Sequence, residues 1–234
     1  MKNNSLLIVL GEPNSIFLEI FFKSYNKCIK KFKKPIILIG SVSLLRAQMS
    51  SLGYSFKIKK INLFNVKNLN LNNKCINIIN VNYSFKKTFD KISYKSSLYI
   101  NNCFNIALKL LSSNDNLFLI NGPISKKHFL KKKYLGITEY LGNKTKIKKK
   151  PTMLIYNPTF SVCPITTHVP ISKVSKNLSR KIIINDILNI NEFYKKKLKK
   201  IPKFAVLGLN PHCESILNFS EENRIIKPSI KYLS

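Results

Sequence analysis

The sequence predicts an α/β fold built on a mostly parallel sheet with helices on its faces. Two observations carry this expectation. Up to residue 121, short apolar runs alternate with segments of helical periodicity, the order that builds a parallel sheet through crossover connections. The run at 35–39 is apolar at every position, as in a strand covered on both faces, whereas a strand with one wet face alternates.

The elements follow in order. A first strand is expected at 5–10, then the turn Gly11-Glu12-Pro13-Asn14. Ser15 is placed to cap a helix over 16–31, because its hydroxyl can accept from a first-turn N–H, and Ile16, Ile20, Phe21 and Ile29 give that helix its apolar residues. The buried strand at 35–39 ends at Gly40, and a second helix over 41–52 stops at Gly53, a residue suited to the left-handed conformation that ends helices. Residues 56–92 mix Lys, Asn and Ile, with short strands expected at 57–61 and 75–79. A helix at 96–111 carries Tyr99, Cys103, Ala107 and Leu111 on one face, and a strand at 117–120 leads into Asn121-Gly122-Pro123.

Beyond Pro123 the pattern restarts. Strands are expected at 152–156 and 160–165, joined through Asn157-Pro158, then a helix over 175–199 with no internal proline, and a strand at 204–207 after Pro202. The last helix opens at Ser220-Glu221-Glu222-Asn223, which offers a capping hydroxyl and first-turn carboxylates to the positive helix end. A hinge at 121–126 divides the chain into a first α/β domain, 1–122, and a second, 123–234. Helical periodicity continues to Ser234 without a terminator, so the chain is expected to stop within a domain.

Composition narrows the function classes. The net charge of +31 invites a nucleic-acid reading, but the positive residues are nearly all Lys, with Arg only at 46, 180 and 224. Lys, Asn and Ile share A/T-rich codons, and the Lys runs at 30–34, 131–133 and 195–200 lack interleaved exposed aromatics. Arg, the residue suited to bidentate recognition of phosphates and bases, is scarce. Specific nucleic-acid binding is therefore not expected, although the charge will attract small anions. Five cysteines without CxxC spacing argue against a zinc ribbon or a dithiol redox pair and for reduced thiols in the cytoplasm. No apolar stretch reaches the length of a membrane span.

Five segments carry candidate chemistry. Gly11-Glu12-Pro13-Asn14 lacks the glycines of a phosphate loop and reads as a turn. Asn121-Gly122-Pro123-Ile124-Ser125-Lys126 follows a strand, and Lys126 is either a cation for a phosphate or carboxylate or a solvated surface lysine. His128, between lysines and Phe129-Leu130, reads as a helix-surface or packing residue and not as a ligand. In Gly136-Ile137-Thr138-Glu139, Thr138 either contacts a polar substrate or caps a helix. Thr166-Thr167-His168-Val169-Pro170 and Gly208-Leu209-Asn210-Pro211-His212 each set a histidine after an apolar strand-like run, where open α/β sheets bind ligands. Imidazole is the commonest protein ligand for transition metals, so His168 and His212 form part of a candidate metal site. A catalytic metal normally takes three protein ligands. Cys213, beside His212, is either a further ligand or a small buried residue.

In this order the five segments resemble the 4-hydroxythreonine-4-phosphate dehydrogenase family of vitamin B6 biosynthesis, across essentially the whole chain. The resemblance implies a fold like that of isocitrate and isopropylmalate dehydrogenases, with two α/β domains, a cleft active site, and a homodimer binding a divalent metal (zinc, magnesium or cobalt) near the subunit interface. It implies that His168 and His212 are two of three metal-binding histidines and that Thr138 binds substrate. It also implies NAD-dependent oxidation of 4-phosphohydroxy-L-threonine, then decarboxylation to an aminoketone phosphate. Three departures stand out. Ile137 occupies a position where the family has a histidine, and Asn14-Ser15-Ile16-Phe17-Leu18 replaces Ala-Gly-Ile-Gly-Pro. The family also continues past residue 234, into the third histidine and the segments associated with NAD. On that ground the 234-residue chain is expected to have little turnover of its own. The alternatives are an inactive remnant that binds only a metal or a phosphorylated ligand, and, less favoured, a basic nucleic-acid-binding protein.

Overall fold

Five short strands, β1 Ser5–Val9, β2 Ile36–Gly40, β3 Ile58–Lys60, β4 Ile76–Asn80 and β5 Leu117–Asn121, form one sheet in the order β3-β4-β2-β1-β5. Every pairing in it is parallel, as the alternating sequence pattern predicts. The computed structural model describes residues 5–63, 71–114, 116–131, 133–145, 151–213 and 220–234. Its contacts divide the chain into two units, Met1–Leu141 and Gly142–Ser234.

In the first unit the two-residue period of a strand sorts side chains onto two faces. Leu7, Val9, Ile37, Ile39 and Ile79 pack with Tyr99, Ile100, Cys103, Phe104, Ala107 and Leu110 of α3 (Ser97–Ser112). Ile8, Ile36, Leu38, Ile76 and Ile78 pack on the opposite face against α1 (Phe17–Lys27) and α2 (Val42–Ser51). All five residues of β2 are buried, which accounts for its continuous apolar run. Ser41 caps α2 by accepting from the Leu44 N–H (3.3 Å), and Gly53 takes φ +71 at its end. β1 pairs with β2 on one side and β5 on the other, so the strand order reverses there. In open parallel sheets that reversal marks the ligand-binding end.

The apolar face expected for the first helix is only partly the buried one. Phe21 is buried and Ile29 packs against the core as expected, but Ile16 and Ile20 are 68% and 49% exposed, and Leu18, Phe22 and Tyr25 are buried instead. Aromatic bulk decides the difference. Phe22 and Tyr25 stack with Tyr54 and Phe56, with ring centroids 4.8–6.0 Å apart, and this cluster covers the sheet more fully than isoleucines would. The helix begins at Phe17, and Ser15 lies one residue outside its cap position, donating to the Glu12 carbonyl (2.7 Å) and accepting from the Phe17 N–H. After β5, a π-helical turn (Lys126–Leu130) and α4 (Ile137–Lys144) contribute Leu130 and Tyr140 to the α3 core.

The second unit departs further from expectation. The strands at 152–156 and 160–165 reduce to one antiparallel bridge, Ile155 to Val162. The helix over 175–199 is three pieces: α5 (Val174–Asn177), α6 (Arg180–Phe193) and a π-helical turn (Tyr194–Leu198). The break is at Leu178, whose backbone is extended (ψ 134°), and at Ser179, whose hydroxyl accepts from the Ile182 N–H and restarts the helix. Residues 204–207 form no strand; they have no neighbouring ladder among the described residues, and Leu207 is 83% exposed. The last helix forms as expected, as a π-helical turn (Glu222–Ile226) running into α7 (Lys227–Leu233), with Ser220 Oγ accepting from the Asn223 N–H. No helix among the described residues is long and apolar enough to cross a membrane.

Candidate functional site

At the C-terminal ends of β1 and β5 the first two motif loops close on each other. The Glu12 N–H donates to the Pro123 carbonyl (2.8 Å) and the Gly122 N–H to the Val9 carbonyl (2.7 Å). Gly11 holds φ +74, and a Cβ there would run into the Pro123 carbonyl oxygen; one at Gly122 would run into that of Leu10. Both glycines are fixed by backbone approach, a constraint no larger residue meets.

Glu12 is buried, accepting from Ser96 Oγ (2.8 Å) and the Asn14 N–H (3.4 Å). Burial, then the nearby Glu12 and Asp90 charges, push the Tyr83 phenol above its ordinary range. The departure at Asn14-Ser15 now has a structural content. Asn14 accepts from the Asp90 N–H (3.2 Å) and donates to the Lys91 carbonyl, so a side chain ties this loop to the 90–91 segment.

Further along, Lys126 is exposed and opens the π-helical turn. His128 is a packing residue, as its neighbours suggest: Nδ1 lies 2.9 Å from Ser125 Oγ and the ring stands edge-on to Tyr94. Thr138 is half-buried and the second residue of α4, inside the helix and not at its cap position, which removes the capping alternative. Ile137 packs against the α3 core, so its side chain is committed to packing.

The two histidine loops lie in the second unit. His168 is exposed and adopts φ +56, an uncommon conformation for a residue with a Cβ. His212 is exposed too, and its loop is held from beneath. Glu222 is a buried residue, and its Oε1 accepts from the N–H groups of Leu209 (2.9 Å) and Asn210 (2.8 Å). Asn210 Oδ1 accepts from the His212 N–H (3.1 Å), and the Asn210 carbonyl accepts from the Cys213 N–H (3.0 Å). The Asn210 N–H above all, with Glu222's own N–H and that of Leu209, holds the Glu222 carboxyl below its usual range. Cys213 is exposed at φ +54, so it is not the small buried residue of the alternative reading.

Imidazole suits zinc or cobalt better than magnesium, so His168 and His212 have the right chemistry to contribute to such a site. Two donors do not complete it, and the described residues contain no group of three or more His, Cys, Asp or Glu able to hold an ion. All five cysteines are free thiols. Burial pushes Cys103 up to about 12, and burial, then the Asp186 charge, pushes Cys163 up to about 11.

Residues 31–234 match the model of the pyridoxal phosphate biosynthetic protein PdxA family. The chain belongs to that family. A 4-hydroxythreonine-4-phosphate dehydrogenase from a Sulfurihydrogenibium species is 31% identical over 234 residues, covering 97% of this chain and 70% of the relative. A D-threonate 4-phosphate dehydrogenase from Salmonella typhimurium is 23% identical over 98% of this chain and 71% of its own length. Among solved structures, a 4-hydroxythreonine-4-phosphate dehydrogenase from Burkholderia phymatum superposes with a TM-score of 0.82 at 20% identity, over 99% of this chain and 71% of that one. The α/β fold expected from the sequence is therefore the PdxA fold, and by family the chain is an oxidoreductase of vitamin B6 biosynthesis.

Sequence reasoning missed two site-building residues, Glu12 and Glu222. The available signal was scarcity: ten acidic residues stand against 41 basic ones, so any carboxylate kept at a motif edge is a candidate for a specific role.

Proposed function

We propose that this chain supplies substrate and metal loops to an NAD-dependent dehydrogenase that oxidises the secondary alcohol of 4-phosphohydroxy-L-threonine. The resulting ketone loses carbon dioxide to give an aminoketone phosphate. The working form in this reading is a cytoplasmic homodimer. Thr138 hydrogen-bonds the substrate, and Lys126 offers its charge to the phosphate or carboxylate. Ile137 removes the hydrogen bond that a histidine would give, leaving orientation at this point to its neighbour Thr138. His168 and His212 would contribute two donors to a divalent ion, zinc or cobalt by preference of their imidazoles. Such an ion would supply positive charge that favours the ionised form of an alcohol. A nicotinamide cofactor would supply the hydride acceptor, and the protein's contribution is orientation and electrostatics.

The observation that supports this reading most strongly is the closure of Gly11-Glu12-Pro13 on Asn121-Gly122-Pro123 at the C-terminal end of a parallel sheet, where such folds bind ligands. The test is calorimetric. His168→Ala and His212→Ala are each expected to weaken zinc binding by about tenfold or more, and Thr138→Ala to weaken binding of 4-phosphohydroxy-L-threonine but not of zinc. Unchanged zinc affinity in both histidine variants removes the metal assignment. Tighter binding of D-threonate 4-phosphate than of 4-phosphohydroxy-L-threonine overturns the substrate assignment.

A further inference from the structure

We propose that Glu222 is the positioning residue of the His212 loop. The proposal rests on the reading of His212 as a metal ligand and extends it to what holds that ligand. Leu209, Pro211, His212 and Cys213 are all exposed, so burial of apolar surface does not fix this segment. Among the described residues, hydrogen bonds hold it and lead to the Glu222 carboxylate. Glu222 Oε1 takes two successive backbone N–H groups, at 2.9 and 2.8 Å, and the second belongs to Asn210. Asn210 in turn takes the His212 N–H on its side chain and the Cys213 N–H on its carbonyl. Two links therefore separate the Glu222 carboxylate from the histidine backbone.

The base of this relay is itself hydrogen-bonded. Ser220 Oγ accepts from the Asn223 N–H in the π-helical turn that begins at Glu222, and Ser229 Oγ donates to the Ile225 carbonyl one turn later (2.6 Å). Ile226, in the same turn, is buried. A charged acceptor on two amides forms shorter and stronger bonds than a neutral one. An exposed loop held in this way presents its histidine with little backbone freedom, which is what a ligand needs in order to bind without first being ordered. As a first-turn carboxylate, Glu222 would serve only the end of its own helix; its contacts across 12 and 13 residues show the larger role.

The test uses the full 234-residue chain with zinc and cobalt(II) as probes. Glu222→Ala is expected to lower zinc affinity about tenfold, the usual scale for losing a ligand's supporting hydrogen bonds. It should also shift the cobalt absorption spectrum and speed hydrogen exchange at the Leu209 and Asn210 amides. Glu222→Gln keeps an acceptor oxygen and should recover most of the affinity. In a His212→Ala background the Glu222→Ala effect on zinc should vanish. If His212→Ala weakens zinc binding while Glu222→Ala and Glu222→Gln both match wild type, the positioning role is wrong and the metal reading stands. If His212→Ala itself leaves zinc affinity unchanged, the metal reading fails and this inference with it. Should Glu222→Ala not fold, Asn210→Ala decides, because it removes the oxygen that accepts from the His212 N–H: zinc affinity and a cobalt spectrum equal to wild type overturn the proposal.

Discussion

The two units of this chain solve the problem of order in different ways. In Met1–Leu141 a parallel sheet buries both faces, and Phe22, Ile37, Ile39, Ile78, Ile100 and Phe104 are essentially inaccessible. In Gly142–Ser234 the buried apolar residues among those described are Ile183, Ile190 and Ile226, while Phe160, Ile171, Ile201 and Leu207 are between 76% and 92% exposed. What orders the second unit's loops is polar: Ser179 and Ser220 at helix starts, Glu222 under the His212 loop, and buried Asp186 accepting from Thr152 Oγ1 at 2.6 Å. Hydrophobic burial is non-directional and sets a scaffold, whereas hydrogen bonds are directional and set the course of individual loops. The contrast is therefore open to test by asking which kind of substitution each unit tolerates.

The largest effect belongs to the first unit's core. Phe22 is fully buried among Phe21, Tyr54 and Phe56, so Phe22→Ala should lose about 3–5 kcal/mol of unfolding free energy, the scale for a large-to-small change at a close-packed aromatic. Guanidinium unfolding measures it. A loss below about 1 kcal/mol would mean that this face of the sheet is not packed as described.

A smaller effect separates two glycines that share a left-handed backbone. Gly11 and Gly53 have φ of +74 and +71, yet a Cβ at Gly53 meets nothing within 4 Å, whereas at Gly11 it meets the Pro123 carbonyl. Gly53→Ala should therefore cost only the conformational penalty of about 1–2 kcal/mol. Gly11→Ala adds the opening of the closure between β1 and β5, and its cost should exceed that of Gly53→Ala in the same unfolding experiment. Equal costs would show that the two loops are not held together by close approach.

These contrasts also explain how far the sequence could be read. Strands β1, β2 and β4 were legible because burial on a parallel sheet leaves uninterrupted apolar runs, and β5 shares the run although Phe118 and Ile120 are exposed; the signal is local. The same local signal misled at 204–207, where an apolar run has no ladder among the described residues. It also misled at Ile16 and Ile20, where aromatic packing against Tyr54 and Phe56 rotated the helix. The histidine loops stand out in the sequence as motifs. Their support does not, because Glu222 lies 12 and 13 residues from the amides it holds, and only the fold makes that pairing.

The smallest expected effect is the most informative about the second unit. Leu207 is 83% exposed in the single chain, so Leu207→Ser should change stability by no more than about 0.5 kcal/mol in dilute solution, as for other surface positions. The proposed homodimer makes a concentration-dependent exception possible. A subunit interface that covers Leu207 stabilises the folded state by mass action, so the wild-type midpoint would rise with protein concentration and the variant's would rise less. Unfolding followed over a wide range of protein concentration separates the two cases. A midpoint independent of concentration in both proteins leaves Leu207 a surface residue. A loss well above 0.5 kcal/mol at every concentration would mean that the segment is buried within one chain, and the contrast between a burial-ordered and a polar-ordered unit would fail at this point.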